Sequence, residues 1–178
     1  MRRAFSIIGS FIFLVLAPGV VAGYVPWRLC RWQMSPALLG TLPFRGFPLQ
    51  IVGGLMIAAS LPVLLDSFAR FALQGLGTPA PVLPTRHLVV TGLYRHVRNP
   101  MYVAVTSLIF GQALLFGSLR VLEYGLVVWL AFHLFVLAYE EPTLRRTFGP
   151  EYENFCANVP RWIPRLKPWK PSSDSKTT

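Results

Sequence analysis

The sequence predicts an all-α polytopic membrane protein with about four transmembrane helices. Of its 178 residues, 53% are hydrophobic and only 13% are charged. Average soluble domains carry roughly 25% charged residues, so this chain is unusually poor in charge. Its apolar residues also fall into long uncharged stretches. In lipid such stretches must be helical, because unpaired backbone groups are too costly there.

Four stretches, each of about nineteen residues, are long enough to cross the hydrocarbon layer of a bilayer. They cover residues 4–22, 47–65, 101–119 and 121–139. The first contains Pro18-Gly19, which predicts a kinked helix. A signal peptide with Arg2 and Arg3 as its positive region is the alternative interpretation of that stretch, and a retained span is favoured because its apolar run is long.

The last two stretches are separated by a very short connection. Gly117-Ser118 and Arg120 predict a tight antiparallel hairpin. Such a hairpin would bring the segment RHVRNPMY, residues 95–102, beside the acidic pair Glu140-Glu141. These two polar segments would then form one site, although about forty residues of chain separate them.

The net charge of +10 is distributed in blocks between the apolar stretches and in the C-terminal tail. That distribution follows the positive-inside rule and argues against nucleic-acid binding, which favours a continuous basic face. Only Arg28, Arg31, Arg45 and Arg120 of the 17 basic residues fall on the predicted outer side. We therefore predict that both termini and the loop 73–99 are cytoplasmic, in a cell (inner) membrane or an endomembrane.

Cysteine and histidine residues give no metal-binding pattern. Cys30 and Cys156 are predicted on opposite sides of the membrane and so should not pair. The three histidines, His87, His96 and His133, lack zinc-site spacing. We expect no metal.

The segment 95–102 has two interpretations. Asn99-Pro100 suits the cap and the first turn of a helix, whose free N–H groups favour anions. Arg95 and Arg98 could extend to lipid headgroups as a simple membrane anchor. Alternatively, these residues form half of a binding site for a charged ligand.

The acidic pair Glu140-Glu141 likewise has a structural and a functional interpretation. A salt bridge to Arg145, or to Arg95 or Arg98 across the hairpin, is one possibility. The other is that Glu140 binds a cationic group of a ligand, since carboxylates at a membrane edge mark sites. His133, seven residues earlier on the predicted helix, would either bond a neighbouring helix or act directly.

After the acidic pair, residues 151–158 predict a short amphipathic helix at the membrane surface. We expect three regions in the chain. Residues 1–45 hold the first span and an outer loop, residues 46–165 form a core with three spans, and residues 166–178 are a polar disordered tail.

Two motifs resemble the signatures of the integral-membrane methyltransferases, which include isoprenylcysteine carboxyl methyltransferase and the phospholipid methyltransferases. The first is HLVVTGLYRHVRNPMY, residues 87–102. The second is the run from EEP to VPR, residues 140–161. Together they lie within residues 86–165, nearly half of the chain, and occur in the expected order around the predicted hairpin.

The resemblance implies methyl transfer from S-adenosylmethionine to a lipid or a lipidated or small hydrophobic acceptor, at the cytoplasmic helix ends and partly under the C-terminal segment. Arg98 and Glu140 are the implied catalytic candidates. The implied cofactor-binding residues are His87, Leu88, Val89, Val90, Tyr94, Asn99, Pro100, Met101, Tyr102 and Glu140.

The chain departs from the family pattern at three places, one of which is Val103-Ala104, where the family has a glycine after the tyrosine. Asn99 stands where histidine is usual, and Val136 stands where isoprenylcysteine enzymes use an arginine for the acceptor carboxylate. The competing hypothesis is a non-catalytic membrane protein that binds anionic lipid or a partner through its basic cytoplasmic mouth.

Overall fold

The computed structural model describes residues 17–35, 46–73, 88 and 90–170. Within these ranges every regular element is helical and no strand occurs, in agreement with the predicted all-α class. The helices are α1 (Val25–Cys30, after a π turn at Val20–Tyr24), α2 (Phe47–Leu73), α3 (Pro100–Phe116), α4 (Leu119–Phe135), α5 (Glu141–Phe148) and α6 (Pro150–Asn158), with a π turn at Val136–Glu140 and a 3₁₀ turn at Gly92–Arg95.

The π turn before α1 exposes backbone carbonyls that other helices use. Pro26 has no N–H, so the carbonyl of Ala22 loses its ordinary helical partner. The amide nitrogen of Gln112 donates to that carbonyl at 2.6 Å. The hydroxyl of Tyr124 donates to the neighbouring carbonyl of Val21 at 3.0 Å. The described part of the first predicted span is therefore built into the bundle, while residues 4–16 lie outside the described residues.

Two glycines let α2 and α3 approach closely. A Cβ atom added to Gly53 would lie 2.6 Å from the carbonyl oxygen of Gly111 and 2.6 Å from the backbone nitrogen of Leu115. An added Cβ at Gly111 would in turn lie 2.9 Å from the carbonyl of Gly53. Small residues at such contacts are how helices associate in membranes, where no hydrophobic force drives them together.

The apolar core lies along α3, between α2, the π turn before α1, and α4. Ile109 and Val121 are fully buried in it. The sides of α2 and α4 that face away from the core are also apolar, with Leu55 and Val127 about two thirds exposed, at 64% and 66%. A continuous outer apolar surface of this kind is expected against lipid and is unusual against water.

Two helical stretches are long and apolar enough to cross a membrane, Phe47–Ala69 and Leu119–Phe148, and α3 is a shorter apolar helix. The helix predicted at 47–65 extends to Leu73 and contains Pro62. The one predicted at 101–119 ends earlier, at Phe116, because Gly117 adopts a left-handed conformation with φ of 67°.

The path from α4 into α5 is continuous through the π turn at Val136–Glu140. Pro142 again removes an N–H, which suits the first turn of α5 and accompanies the wide turn before it. The predicted helix at 151–158 is present as α6. Beyond it the chain has no regular secondary structure, and Trp169 packs against Phe155 in a second cluster, with ring centroids 5.9 Å apart. The folded chain thus continues past residue 165.

Candidate functional site

The two neighbouring carboxylates at the end of the Val136–Glu140 turn have different partners. Oε2 of Glu140 accepts a hydrogen bond from the Tyr102 hydroxyl at 3.1 Å. Its other oxygen has no hydrogen bond within the described residues, and it is not among the buried unpaired atoms. Glu141 is 5% exposed and faces two guanidinium groups instead. One carboxylate is thus accessible for a ligand, and the other is used within the protein.

Glu141 holds two arginines from different segments. Arg161 binds it through two nitrogens, with Nε 2.5 Å from Oε1 and Nη2 3.0 Å from Oε2. Arg98 Nη1 donates to the same Oε1 at 3.0 Å. Two-pronged arginine–carboxylate pairs are among the stronger charged hydrogen bonds. The bond from Glu141 also raises the pKa of Arg161 above its ordinary value, which keeps that guanidinium charged.

The predicted ion pair between Glu141 and Arg145 is wrong, because Arg145 binds Glu153 at 2.7 Å on the exposed side of α5 and α6. The alternative pairing with Arg98 is confirmed. Arg98 is 12% exposed over its side chain and also donates to the Cys156 sulfur at 2.9 Å. Its Nε is buried without a partner among the described residues. Arg98 therefore does not extend to lipid headgroups.

Residues 159–170, here called the strap, lie along the segment 92–99. Pro160, Pro164 and Pro168 recur at every fourth position and keep this stretch from forming a helix. The strap carbonyls consequently need donors from elsewhere. The backbone nitrogen of Arg98 supplies one to Pro160 at 2.9 Å.

Arg165 and Trp169 of the strap each exchange two hydrogen bonds with one residue of the segment 92–99. The nitrogen of Arg165 donates to the carbonyl of His96 at 2.9 Å, and Nδ1 of His96 donates back at 2.7 Å. The nitrogen of Trp169 donates to the carbonyl of Arg95 at 2.9 Å, and Nε of Arg95 donates back at 2.6 Å. Arg95 thus holds the strap through Nε, a role that the lipid-anchor interpretation did not include.

Asn99 occupies the predicted cap position of α3, but its side chain does not cap the helix. Its amide instead donates to the carbonyl of Arg161 on the strap at 3.2 Å. The first N–H groups of α3, from Met101 and Tyr102, are left without that capping side chain. Free N–H groups at a helix start favour an anionic group.

The structure describes only some of the remaining predicted cofactor residues. His87 and Val89 lie outside the described residues. Leu88 and Val90 pack on the cluster around Tyr152 below the strap. The other predicted residues are Tyr94 in the 3₁₀ turn, buried Pro100, and half-buried Met101 against the core.

The sequence did not single out Arg161 as a site residue, although it lies in the second motif. Trp162, the next residue, donates from its indole nitrogen to Nδ1 of His133 at 3.1 Å. The proline spacing of four was the available signal for an extended strap. Within the described residues no group of three or more His, Cys, Asp or Glu side chains could hold a metal ion.

Comparison with known proteins agrees with these motifs. The sequence model of the phospholipid methyltransferase family matches residues 49–151, more than half of the chain. A relative in Schizosaccharomyces pombe, Protein-S-isoprenylcysteine O-methyltransferase, is 38% identical over 82 residues. That alignment covers 45% of this chain but only 34% of the relative, so the chain spans about a third of the relative's length. No solved structure matches the chain.

Proposed function

This chain belongs to the phospholipid methyltransferase family, and on that premise we propose that it is a membrane methyltransferase that uses S-adenosylmethionine. The observation that carries the proposal is the accessible oxygen of Glu140 beside an α3 start that its own cap residue leaves open. When bound, S-adenosylmethionine supplies an electrophilic methyl group on a sulfonium, next to an ammonium and a carboxylate.

The residues present fit such a molecule. Glu140 can accept hydrogen bonds from an ammonium group, and the free N–H groups of Met101 and Tyr102 can donate to a carboxylate. The aromatic faces of Tyr94 and Tyr102 suit a sulfonium or an adenine ring. His87, Leu88, Val89, Val90, Asn99 and Pro100 complete the proposed cofactor-binding set.

The protein's contribution to methyl transfer is alignment and exclusion of water, because an in-line displacement needs no covalent intermediate. The strap supports this role, since its bonds to the segment 92–99 and to Glu141 cover one side of the site. Arg98 acts by holding Glu141 and Cys156 in place, and Glu140 contacts the cofactor.

We infer a lipidic acceptor that reaches the site from the bilayer. The S. pombe relative is named for methylation of isoprenylcysteine. Isoprenylcysteine enzymes have an arginine for the acceptor carboxylate at the position that Val136 occupies in this chain. Val136 is aliphatic and 1% exposed. A free carboxylate would find no cation there, which favours a phospholipid or another acceptor without that group.

For the topology we propose four spans, with α3 and α4 as a hairpin and both termini cytoplasmic. Residues 46–165 then form the methyltransferase core, preceded by the span and outer loop of 1–45. The basic residues Arg95, Arg98 and Arg161 are all bonded within the protein. That observation weakens the competing hypothesis of a basic mouth that only binds anionic lipid.

The test is titration calorimetry of S-adenosylmethionine against the protein in lipid nanodiscs. We expect wild type to bind and Glu140→Gln to lose affinity at least about tenfold, since a charge-assisted bond contributes about 1.5–3 kcal/mol. Glu123→Gln, at the other end of α4, is the matched control and should bind like wild type. Absence of heat for wild type in nanodiscs of several lipid compositions would contradict the proposal.

A further inference from the structure

His133 lies on α4, about 10 Å along the helix axis from Glu140, given a rise of 1.5 Å for each of seven residues. The two positions are linked by packing, because Phe132 contacts the Tyr102 ring with centroids 4.7 Å apart and Tyr102 binds Glu140. His133 thus lies deeper in the predicted membrane than the proposed cofactor site and next to it.

Two tryptophans flank the His133 ring. Trp129 stacks on it with centroids 5.3 Å apart and an angle of 14° between the planes. Trp162 comes from the strap, with its centroid 5.8 Å away, and donates from its indole nitrogen to Nδ1 at 3.1 Å. The strap and α4 therefore contact each other at this histidine.

The bond from Trp162 fixes the protonation state of the ring. An indole nitrogen can only donate, so Nδ1 of His133 must carry a lone pair. The proton of the neutral imidazole then sits on Nε2, the outer nitrogen. No described residue accepts a hydrogen bond from Nε2, and it is not among the buried unpaired atoms. His133 therefore presents an N–H donor at an accessible surface.

An N–H donor at this depth costs free energy if it faces hydrocarbon chains alone. A partner that arrives from the bilayer would remove that cost. We propose that His133 is a specificity-determining residue, which donates a hydrogen bond from Nε2 to an oxygen of the membrane-embedded methyl acceptor. This inference rests on the proposed methyltransferase function.

The proposal names an acceptor class. Because Nδ1 accepts the bond from Trp162, the ring has a single N–H donor, at Nε2. A single neutral donor suits an uncharged oxygen, such as that of an ester carbonyl or a hydroxyl, better than a carboxylate. The aromatic walls suit an acyl or prenyl chain on either side of the bonded oxygen.

The test measures transfer of a labelled methyl group from S-adenosylmethionine into a total membrane lipid extract, supplied at increasing mole fraction in nanodiscs. Loss of one hydrogen bond within a membrane protein corresponds to about a three- to tenfold change. We expect His133→Phe to raise the half-saturating lipid fraction by about three- to tenfold, with the affinity for S-adenosylmethionine unchanged. His133→Gln, which keeps an N–H donor, should recover most of that loss.

The matched control is Leu134→Ala, on the adjacent residue, whose side chain is 55% exposed on the outer surface. Trp162→Phe should fall between wild type and His133→Phe, because it frees the ring without removing it. The inference is overturned if His133→Phe shifts acceptor saturation no more than Leu134→Ala. It is equally overturned if His133→Gln fails like His133→Phe, or if the cofactor affinity falls with it.

The same experiment separates this inference from the proposed function. Wild type that does not bind S-adenosylmethionine overturns the methyltransferase proposal itself. Wild type that binds the cofactor but labels no lipid of the extract leaves that proposal with a non-lipid acceptor and overturns the role of His133 in lipid recognition.

Discussion

Where α2 meets α3, Gly53 and Gly111 bring two helix backbones into direct contact. Where the strap meets residues 92–99, carbonyls and N–H groups pair across the gap and Glu141 joins two arginines. The first contact depends on the absence of side-chain atoms, and the second depends on charge and on backbone groups that prolines leave unpaired. The difference teaches that the Gly53–Gly111 contact tolerates almost no added volume, while the strap contact depends on a buried charge and on backbone hydrogen bonds.

The largest expected effect comes from adding one methyl group to the bundle contact. Gly53→Ala places a Cβ 2.6 Å from two backbone atoms that cannot rotate away. Overpacking of a rigid site costs about 3 kcal/mol, so we expect a clearly lower thermal unfolding temperature in detergent. Gly54→Ala is the control, because a Cβ there meets nothing within 4 Å. Equal melting temperatures for the two variants would contradict the close helix contact.

The next effect comes from removing the charge that holds the strap. Glu141→Gln leaves Arg98 and Arg161 without their carboxylate, and breaking a buried pair costs roughly 3–5 kcal/mol. Because the Arg161 side chain is 29% exposed, we expect about 2 kcal/mol here. The readout is limited digestion with trypsin, which should cleave after Arg161 and Arg165 of the strap faster in the variant than in wild type.

The matched control for that variant is Glu153→Gln. Glu153 pairs with Arg145, and both side chains are about half exposed, at 54% and 47%. Exposed pairs contribute about 0.2–1 kcal/mol, so the control should be cleaved nearly like wild type. If both variants released the strap equally, Glu141 would have no special part in holding it.

The bundle was the part that the sequence predicted best. Long uncharged stretches predicted helices, and the described residues of those stretches are helical almost throughout. The boundaries were less accurate, because they depend on single residues. Gly117 stops α3 at Phe116 by adopting a left-handed conformation, and α2 continues eight residues past the predicted end at residue 65 with Pro62 inside it.

The polar end was predicted only in outline. Proximity of Glu140 to Tyr102 followed from the turn between α3 and α4, and the structure places their oxygens 3.1 Å apart. The partners of Arg95 and Asn99 could not be predicted, because both bind strap carbonyls more than sixty residues away. A carbonyl leaves no trace in the identity of its residue, so only the recurrent prolines hinted at it.

The smallest expected effect concerns pH and the cluster under the strap. Burial raises the pKa of Tyr152 above its usual range. Below the unfolded-state pKa, about 10, both states keep the phenol proton and stability is unaffected. Above it the unfolded state loses the proton while the folded state retains it, so stability falls as pH rises.

Tyr152→Phe removes that contribution. We expect its unfolding temperature to fall less than that of wild type between about pH 9 and about pH 11, measured as a slope so that a different starting stability does not matter. Tyr139→Phe, on a side chain 47% exposed, should keep the wild-type slope. The strap cluster, unlike the glycine contact, would then respond to a proton, since Tyr152 is 3% exposed and its ionisation requires the cluster to open. An unchanged slope for Tyr152→Phe would mean that the cluster opens before the phenol ionises.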